Sequence, residues 1–133
     1  MLVLDTHALI WLVEGSRSLG RRSARLADDA LARDELAVAA ISFWEVAMLA
    51  RAARIDITLP PAEWRLRVVR LGIHEAPLSG DVAIAAATLA DFHPDPADRF
   101  IVAAAQALDA GLMTADDRIL RWPGPLVRHD ARK

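Results

Sequence analysis

The chain contains no cysteine, which removes disulfides, thiolate nucleophiles and thiolate metal ligands together. It is almost without lysine as well: Lys133 is the only one among 16 basic residues, and the rest are arginine. Arginine's planar donors engage phosphate oxygens bidentately, but the bias accompanies an alanine-rich composition and is not by itself a sign of nucleic-acid binding. Long apolar runs are missing. Asp5 interrupts the start after four residues, too early for a secretory signal, and nothing approaches the roughly 20 apolar residues that span a bilayer. A cytoplasmic protein with no membrane segment is therefore expected. The glycine-lysine loop of nucleoside triphosphatases is absent too. What remains is 133 residues that are 54% apolar, enough for one packed core and too apolar for a disordered chain. With 18 acids against 16 bases, the net charge of −2 is indifferent, so arrangement has to carry the functional reading.

No repeat, low-complexity stretch or linker divides residues 1–133, which read as a single domain. Leu2-Val3-Leu4 is a short buried strand, followed by a helical segment from His7 to Val13 that Thr6 can cap and Gly15-Ser16 break. An amphipathic helix follows over Ser18–Arg33, with Leu26, Ala30 and Leu31 on its apolar face. Leu36–Ala40 is a second strand and runs into a helix containing Phe43, Trp44, Val46 and Leu49. Pro61 opens another helix, which Gly72 ends, and Ile73–Leu78 holds a weak third strand. Asp81–Ala90 reads as a buried alanine-rich helix, and Ala97–Ala110 as a long helix with Gly111 as its C-cap. Leu112–Thr114 and Leu126–Val127 complete the strands. Short apolar strands alternating with helices predict a three-layer α/β domain with a short-stranded, mainly parallel sheet flanked by helices.

Ligands of such sheets bind beyond the carboxyl ends of the strands, and there the chain is repeatedly acidic. Asp5 follows the first strand, Glu45 lies early in the helix after the second, Asp98 opens the long helix, and Asp116 follows the fourth strand. Gathered together, these acids form the oxygen cage that a hard divalent cation needs. Each also has a purely structural reading. Asp5 suits a helix N-cap, Ser42 and Glu45 have capping-box spacing, and Asp95 and Asp98 are favourable first-turn acids. Of the adjacent pair Asp116 and Asp117, strand geometry does not say which points inward.

Four segments, Val3-Leu4-Asp5-Thr6-His7-Ala8-Leu9-Ile10-Trp11, Ile41-Ser42-Phe43-Trp44-Glu45-Val46-Ala47, Asp95-Pro96-Ala97-Asp98-Arg99-Phe100-Ile101-Val102-Ala103 and Thr114-Ala115-Asp116-Asp117-Arg118-Ile119-Leu120, closely resemble the PIN-domain ribonucleases, in particular the VapC-type toxins of bacterial toxin–antitoxin pairs. The resemblance runs from first strand to last. It implies a catalytic quartet at Asp5, Glu45, Asp98 and Asp116, with Asp5, Asp98 and Asp116 holding Mg²⁺ (or Mn²⁺ in its place). Thr6, Ser42 and Thr114 would orient carboxylates or water. The implied reaction is hydrolysis of RNA phosphodiesters, leaving a 5′-phosphate and a 3′-hydroxyl. The implied partners are an RNA substrate, a cognate antitoxin and a second copy in a homodimer.

Substrate phosphates need positive charge around the acids. Arg99, beside Asp98, is expected to bind phosphate or to pair with a ligand carboxylate. Arg17, Arg21, Arg22 and Arg25, then Arg51 and Arg54, then Arg65, Arg67 and Arg70 form further clusters. Setting the four site acids aside leaves 14 of the 18 acids against 16 basic residues, a mildly basic remainder. His7 is expected to pack or cap locally, His93 lies in the proline loop Asp91–Pro96, and His74 and His129 show no ligand spacing. The stretch Phe43 to Leu49 is more apolar than one helix face requires and suits an antitoxin groove. Three alternatives stay open: a PIN-fold nuclease for RNA processing or DNA, a Mg²⁺-dependent phosphomonoesterase-like domain, and a non-enzymatic module whose acids only cap helices.

Overall fold

A computed structural model describes all 133 residues, Met1–Lys133. Five strands, β1 (Leu2–Leu4), β2 (Leu36–Ala39), β3 (His74–Ala76), β4 (Gly111–Thr114) and β5 (Arg128–Asp130), form one sheet in the order β3-β2-β1-β4-β5. Every neighbouring pair is parallel, with Leu4 opposite both Val38 and Met113. The helices are α1 (Thr6–Glu14), α2 (Arg21–Ala32), α3 (Ile41–Arg51), α4 (Pro61–Arg70), α5 (Gly80–Ala87), α6 (Pro96–Ala107) and α7 (Asp117–Leu120). No helix is long and apolar enough to cross a membrane.

Strand side chains alternate between faces, and that alternation divides the core in two. Leu2, Leu4, Leu36, Val38 and Met113 face one layer, where they meet Leu9 of α1, Ala27 and Ala30 of α2, Val46 of α3 and Trp64 and Val68 of α4. Val3, Ala37, Ala39 and Leu112 face the other, against Val82 and Ala86 of α5 and the Ile101–Ala105 run of α6, with Phe92 and Trp122. A sheet covered on both sides needs apolar residues at every position of its central strands, and β1 and β2 are buried throughout. The three-layer arrangement is therefore as expected.

Several local expectations are corrected. The last strand is Arg128–Asp130, not Leu126–Val127; as a half-exposed edge it has no need of apolar residues. Gly111 does not cap α6: the helix ends at Ala107 with Leu108 as cap, Asp109 takes the left-handed turn at φ 49°, and Gly111 already belongs to β4. Alanine content made α5 look buried, yet only Val82 and Ala86 are, and Ile84 is 68% exposed. Gly20 permits one close approach, since a Cβ there would stand 2.1 Å from the Lys133 backbone. Its N–H donates to Ala131 O, fixing the chain end beside α2.

From β1 the chain builds outward through β2 and β3, then returns to place β4 on the other side of β1. Connections leaving β1 and β4 therefore diverge and open a crevice at the carboxyl ends of these two strands, the switch point where open α/β sheets bind ligands. Asp5 follows β1 directly, and Asp116 lies two residues past β4.

Candidate active site

At this crevice lies a cavity of about 300 Å³ lined by Asp5, Thr6, His7, Trp11, Glu45, Asp95, Asp98, Ala115, Asp116 and Arg118. All four expected acids reach it. Asp5 is the N-cap of α1: its Oδ1 accepts from Thr6 N over 2.8 Å, while its Oδ2 accepts from the buried Thr114 hydroxyl over 2.6 Å. Thr114 Oγ1 in turn accepts from Asp116 N over 3.0 Å, so one hydroxyl ties together the acids that end β1 and β4. Asp98 lies in the first turn of α6, whose N-cap is Asp95. Asp116 caps α7 by accepting from Arg118 N over 2.8 Å.

Glu45 arrives differently. The expected capping box does not form, because α3 begins at Ile41 after an Ala40 of helical geometry. Ser42 is thus inside the helix and fully buried, with its Oγ 2.9 Å from the Thr6 hydroxyl. The same Thr6 hydroxyl bonds Glu45 Oε1. Each hydroxyl has one proton, so the chain resolves as Ser42 donating to Thr6 and Thr6 to Glu45. Thr6 is the first residue of α1 and not its cap, and its side chain is free for this work.

Crowding of carboxylates shapes their protonation. Burial, reinforced by Asp5, Asp95, Asp116 and Glu45, pushes the Asp98 carboxyl up to about 8. Burial also raises Asp5, against the opposing hydrogen bonds from Thr114 and Thr6, and raises Glu45 against its bond from Thr6. Asp116 goes the other way: burial opposes its charge, but the side-chain and backbone bonds from Arg118 outweigh that and hold it below the ordinary value. The site therefore stores like-charge repulsion that a cation relieves.

Two residues not anticipated as part of the centre belong to it. His93 Nε2 is buried, lies 3.2 Å from Asp98 Oδ2 without hydrogen-bond geometry, and has no other partner. Its ligand atoms and those of Asp98 and Asp116 lie within 4.8 Å of one another. Since His93 Nδ1 accepts from Asp95 N over 3.4 Å, the neutral ring carries its proton on Nε2, which is left without a hydrogen-bond acceptor. Burial and Arg118 lower the His93 pKa and keep that ring neutral. Arg118 is the second. Its Nη2 lies 2.9 Å from Asp116 Oδ2 and 3.5 Å from Asp98 Oδ2. The available signals were His93 two residues before Asp95 in the proline loop, and an arginine two residues after Asp116.

Arg99 does not pair with a site carboxylate. Its guanidinium donates to the backbone carbonyls of His93, Ala86, Leu89 and Phe92, stapling the proline loop and the end of α5 to α6. None of the three arginine clusters lines the cavity, and Arg65 pairs with Glu75 instead. The oxygen-rich donor set of Asp98, Asp116 and Asp5 fits a hard divalent cation.

These features define an α/β domain with an acidic, cation-ready cleft at its switch point. The PIN domain family profile matches residues 2–124, and the chain belongs to that family, in its VapC-type branch. It is 34% identical over 129 residues to "Ribonuclease VapC22" of Mycobacterium tuberculosis (strain ATCC 25618 / H37Rv), a match covering 95% of this chain and 96% of the relative. Among solved structures, it resembles VapBC2 from Rickettsia felis, bound to a DNA fragment from their promoter, with a TM-score of 0.70, 14% identity and 96% of both chains covered. A toxin–antitoxin complex from Klebsiella pneumoniae matches with a TM-score of 0.63, 22% identity and 98% of both chains. At those identities the structural matches speak for the fold.

Proposed function

We propose that this protein is a Mg²⁺- or Mn²⁺-dependent endoribonuclease and the toxin of a toxin–antitoxin pair. The observation that carries the reading is the convergence of Asp5, Glu45, Asp98 and Asp116 on one cavity at the switch point. Asp98 and Asp116 would hold the metal, with Asp5 completing the oxygen set directly or through water. When bound, the metal would polarise the scissile phosphate and lower the pKa of water at the site. The chain's own groups do the rest. Asp98 gives up the proton that burial and its neighbours keep on it, with the His93 ring packed 3.2 Å from its Oδ2. Thr6 fixes Glu45 by Oε1, leaving Oε2 to align an attacking water and take its proton; burial raises the Glu45 pKa, which makes it a stronger base than a free carboxylate. Thr114 keeps Asp5 and Asp116 in register.

The toxin role has a second support. On α3, Trp44 (56% exposed) and Met48 (49%) lie one turn apart, and α4 adds the exposed Leu66 and Val69. Such a face suits an apolar antitoxin segment or the homodimer partner. The test is cleavage of a defined RNA by the purified protein with Mg²⁺ or Mn²⁺, with 5′-phosphate and 3′-hydroxyl ends expected. Asp5→Asn or Asp98→Asn should abolish cleavage while the protein stays folded. Full activity in excess EDTA, or in the double variant, overturns the reading.

A further inference from the structure

Arg118 is the only arginine among the ten residues lining the acidic cavity. Its backbone N–H and Nε both reach Asp116 Oδ1, at 2.8 and 3.3 Å, and Nη2 reaches Asp116 Oδ2 at 2.9 Å. The same Nη2 extends to Asp98 Oδ2 at 3.5 Å. One guanidinium thus lies across the two carboxylates best placed to take a divalent cation. Carboxylate oxygens cannot give their full charge to both, and a divalent ion repels a guanidinium held within a few ångströms. The side chain is 56% exposed and anchored only at this rim, so it is free to swing outward. Its fork geometry then suits a phosphate oxygen arriving beside the acids.

We propose that Arg118 is an exchangeable counter-cation of the site: it competes with the divalent metal for Asp98 and Asp116, and once displaced it binds a phosphate of the RNA substrate. This rests on the metal-dependent reading above and adds a residue that links metal loading to substrate binding. The Arg118–Asp116 backbone bond does not depend on the side chain, so α7 keeps its cap when the guanidinium is removed.

The experiment compares the full-length protein with Arg118→Ala and Arg118→Gln, each checked for folding by circular dichroism. Calorimetric titration with Mn²⁺ alone should give about fivefold tighter binding in both variants, the effect of removing one exposed ion pair. Fluorescence anisotropy of a labelled oligoribonucleotide, measured with saturating Mn²⁺ in an Asp5→Asn background that prevents cleavage, should show weaker binding and a salt dependence reduced by about one phosphate contact. Unchanged or weaker Mn²⁺ binding in the variants overturns the competition. Unchanged RNA affinity and salt slope overturn the transfer to phosphate. If neither the parent nor the variants bind Mn²⁺, the metal-centre reading fails and the inference falls with it; equal binding by all of them overturns the inference alone.

Discussion

Asp98→Asn isolates the electrostatic strain of the site from its chemistry. The folded Asp98 carboxyl sits at about 8 against an ordinary 3.8, because it is buried among four other acids. A carboxyl raised on folding is destabilised in its charged form, so its contribution to stability is best below about pH 4, declines as pH rises from there, and reaches its full penalty above about pH 8. At 1.36 kcal/mol per pH unit, the full penalty is on the order of 5 kcal/mol. Asp5 and Glu45 are raised as well and share the repulsion, so protons redistribute among the three when one is removed. Roughly 2 kcal/mol is then a conservative gain for Asn, which keeps the shape and carries no charge.

For a chain of this length, that gain corresponds to a rise in melting temperature of about 6–8 °C at pH 8. Thermal melts by circular dichroism in EDTA, at pH 5, 6.5 and 8, read it directly. The variant should be the more stable protein, with a margin that shrinks toward pH 5. Adding Mn²⁺ should stabilise the parent more at pH 8 than at pH 6.5 and the variant little. A variant that is no more stable at pH 8, or whose margin does not change with pH, would refute the claim that these acids repel one another.

Two further substitutions separate structural from chemical roles. Thr114→Val removes the 2.6 Å bond to Asp5 and the acceptor for Asp116 N, leaving buried polar groups unpaired; urea denaturation should show a loss of about 2–3 kcal/mol, and a loss under 0.5 kcal/mol would disprove the tie between the strand ends. Arg99→Met removes the donors to four backbone carbonyls, so about 3 kcal/mol of stability should go while cleavage per folded molecule stays within about twofold; a large rise in KM without loss of stability would instead make Arg99 a phosphate-binding residue.

The parallel three-layer fold was legible because its signals are local. Leu2–Leu4 and Leu36–Ala39 are wholly apolar since both faces of the sheet are covered, and Pro61 marks a helix start. Edge elements were less legible. Arg128-His129-Asp130 pairs by its backbone alone, and nothing in its side chains announces a strand. The carbonyl contacts of Arg99 were not legible for a related reason. Adjacency to Asp98 suggested a charge role, but successive helix residues point about 100° apart, and this one turns toward the carbonyls that close the proline loop. His93 could not be placed because its approach to Asp98 depends on the path of that loop, which two prolines direct and no periodicity describes.

At the acids, the choice between cap and site residue proves to be no choice. Asp5 caps α1, Asp95 caps α6 and Asp116 caps α7, and all three also line the cavity. A carboxylate has two oxygens with about four lone-pair directions, and a cap uses one of them: Asp95 and Asp116 each take their capping N–H on Oδ1. The other oxygen of each is not needed by its helix. Capping also helps to make the cluster tolerable, because helix N-termini bring partial positive charge to the place where the carboxylates are crowded. Asp98, in the first turn of α6 but not its cap, receives no such direct bond, and burial with the neighbouring acids pushes its carboxyl up to about 8. The helix starts position the acids and offset part of their repulsion; the remainder is carried by Asp5, Glu45 and Asp98, whose charged forms an arriving cation would stabilise.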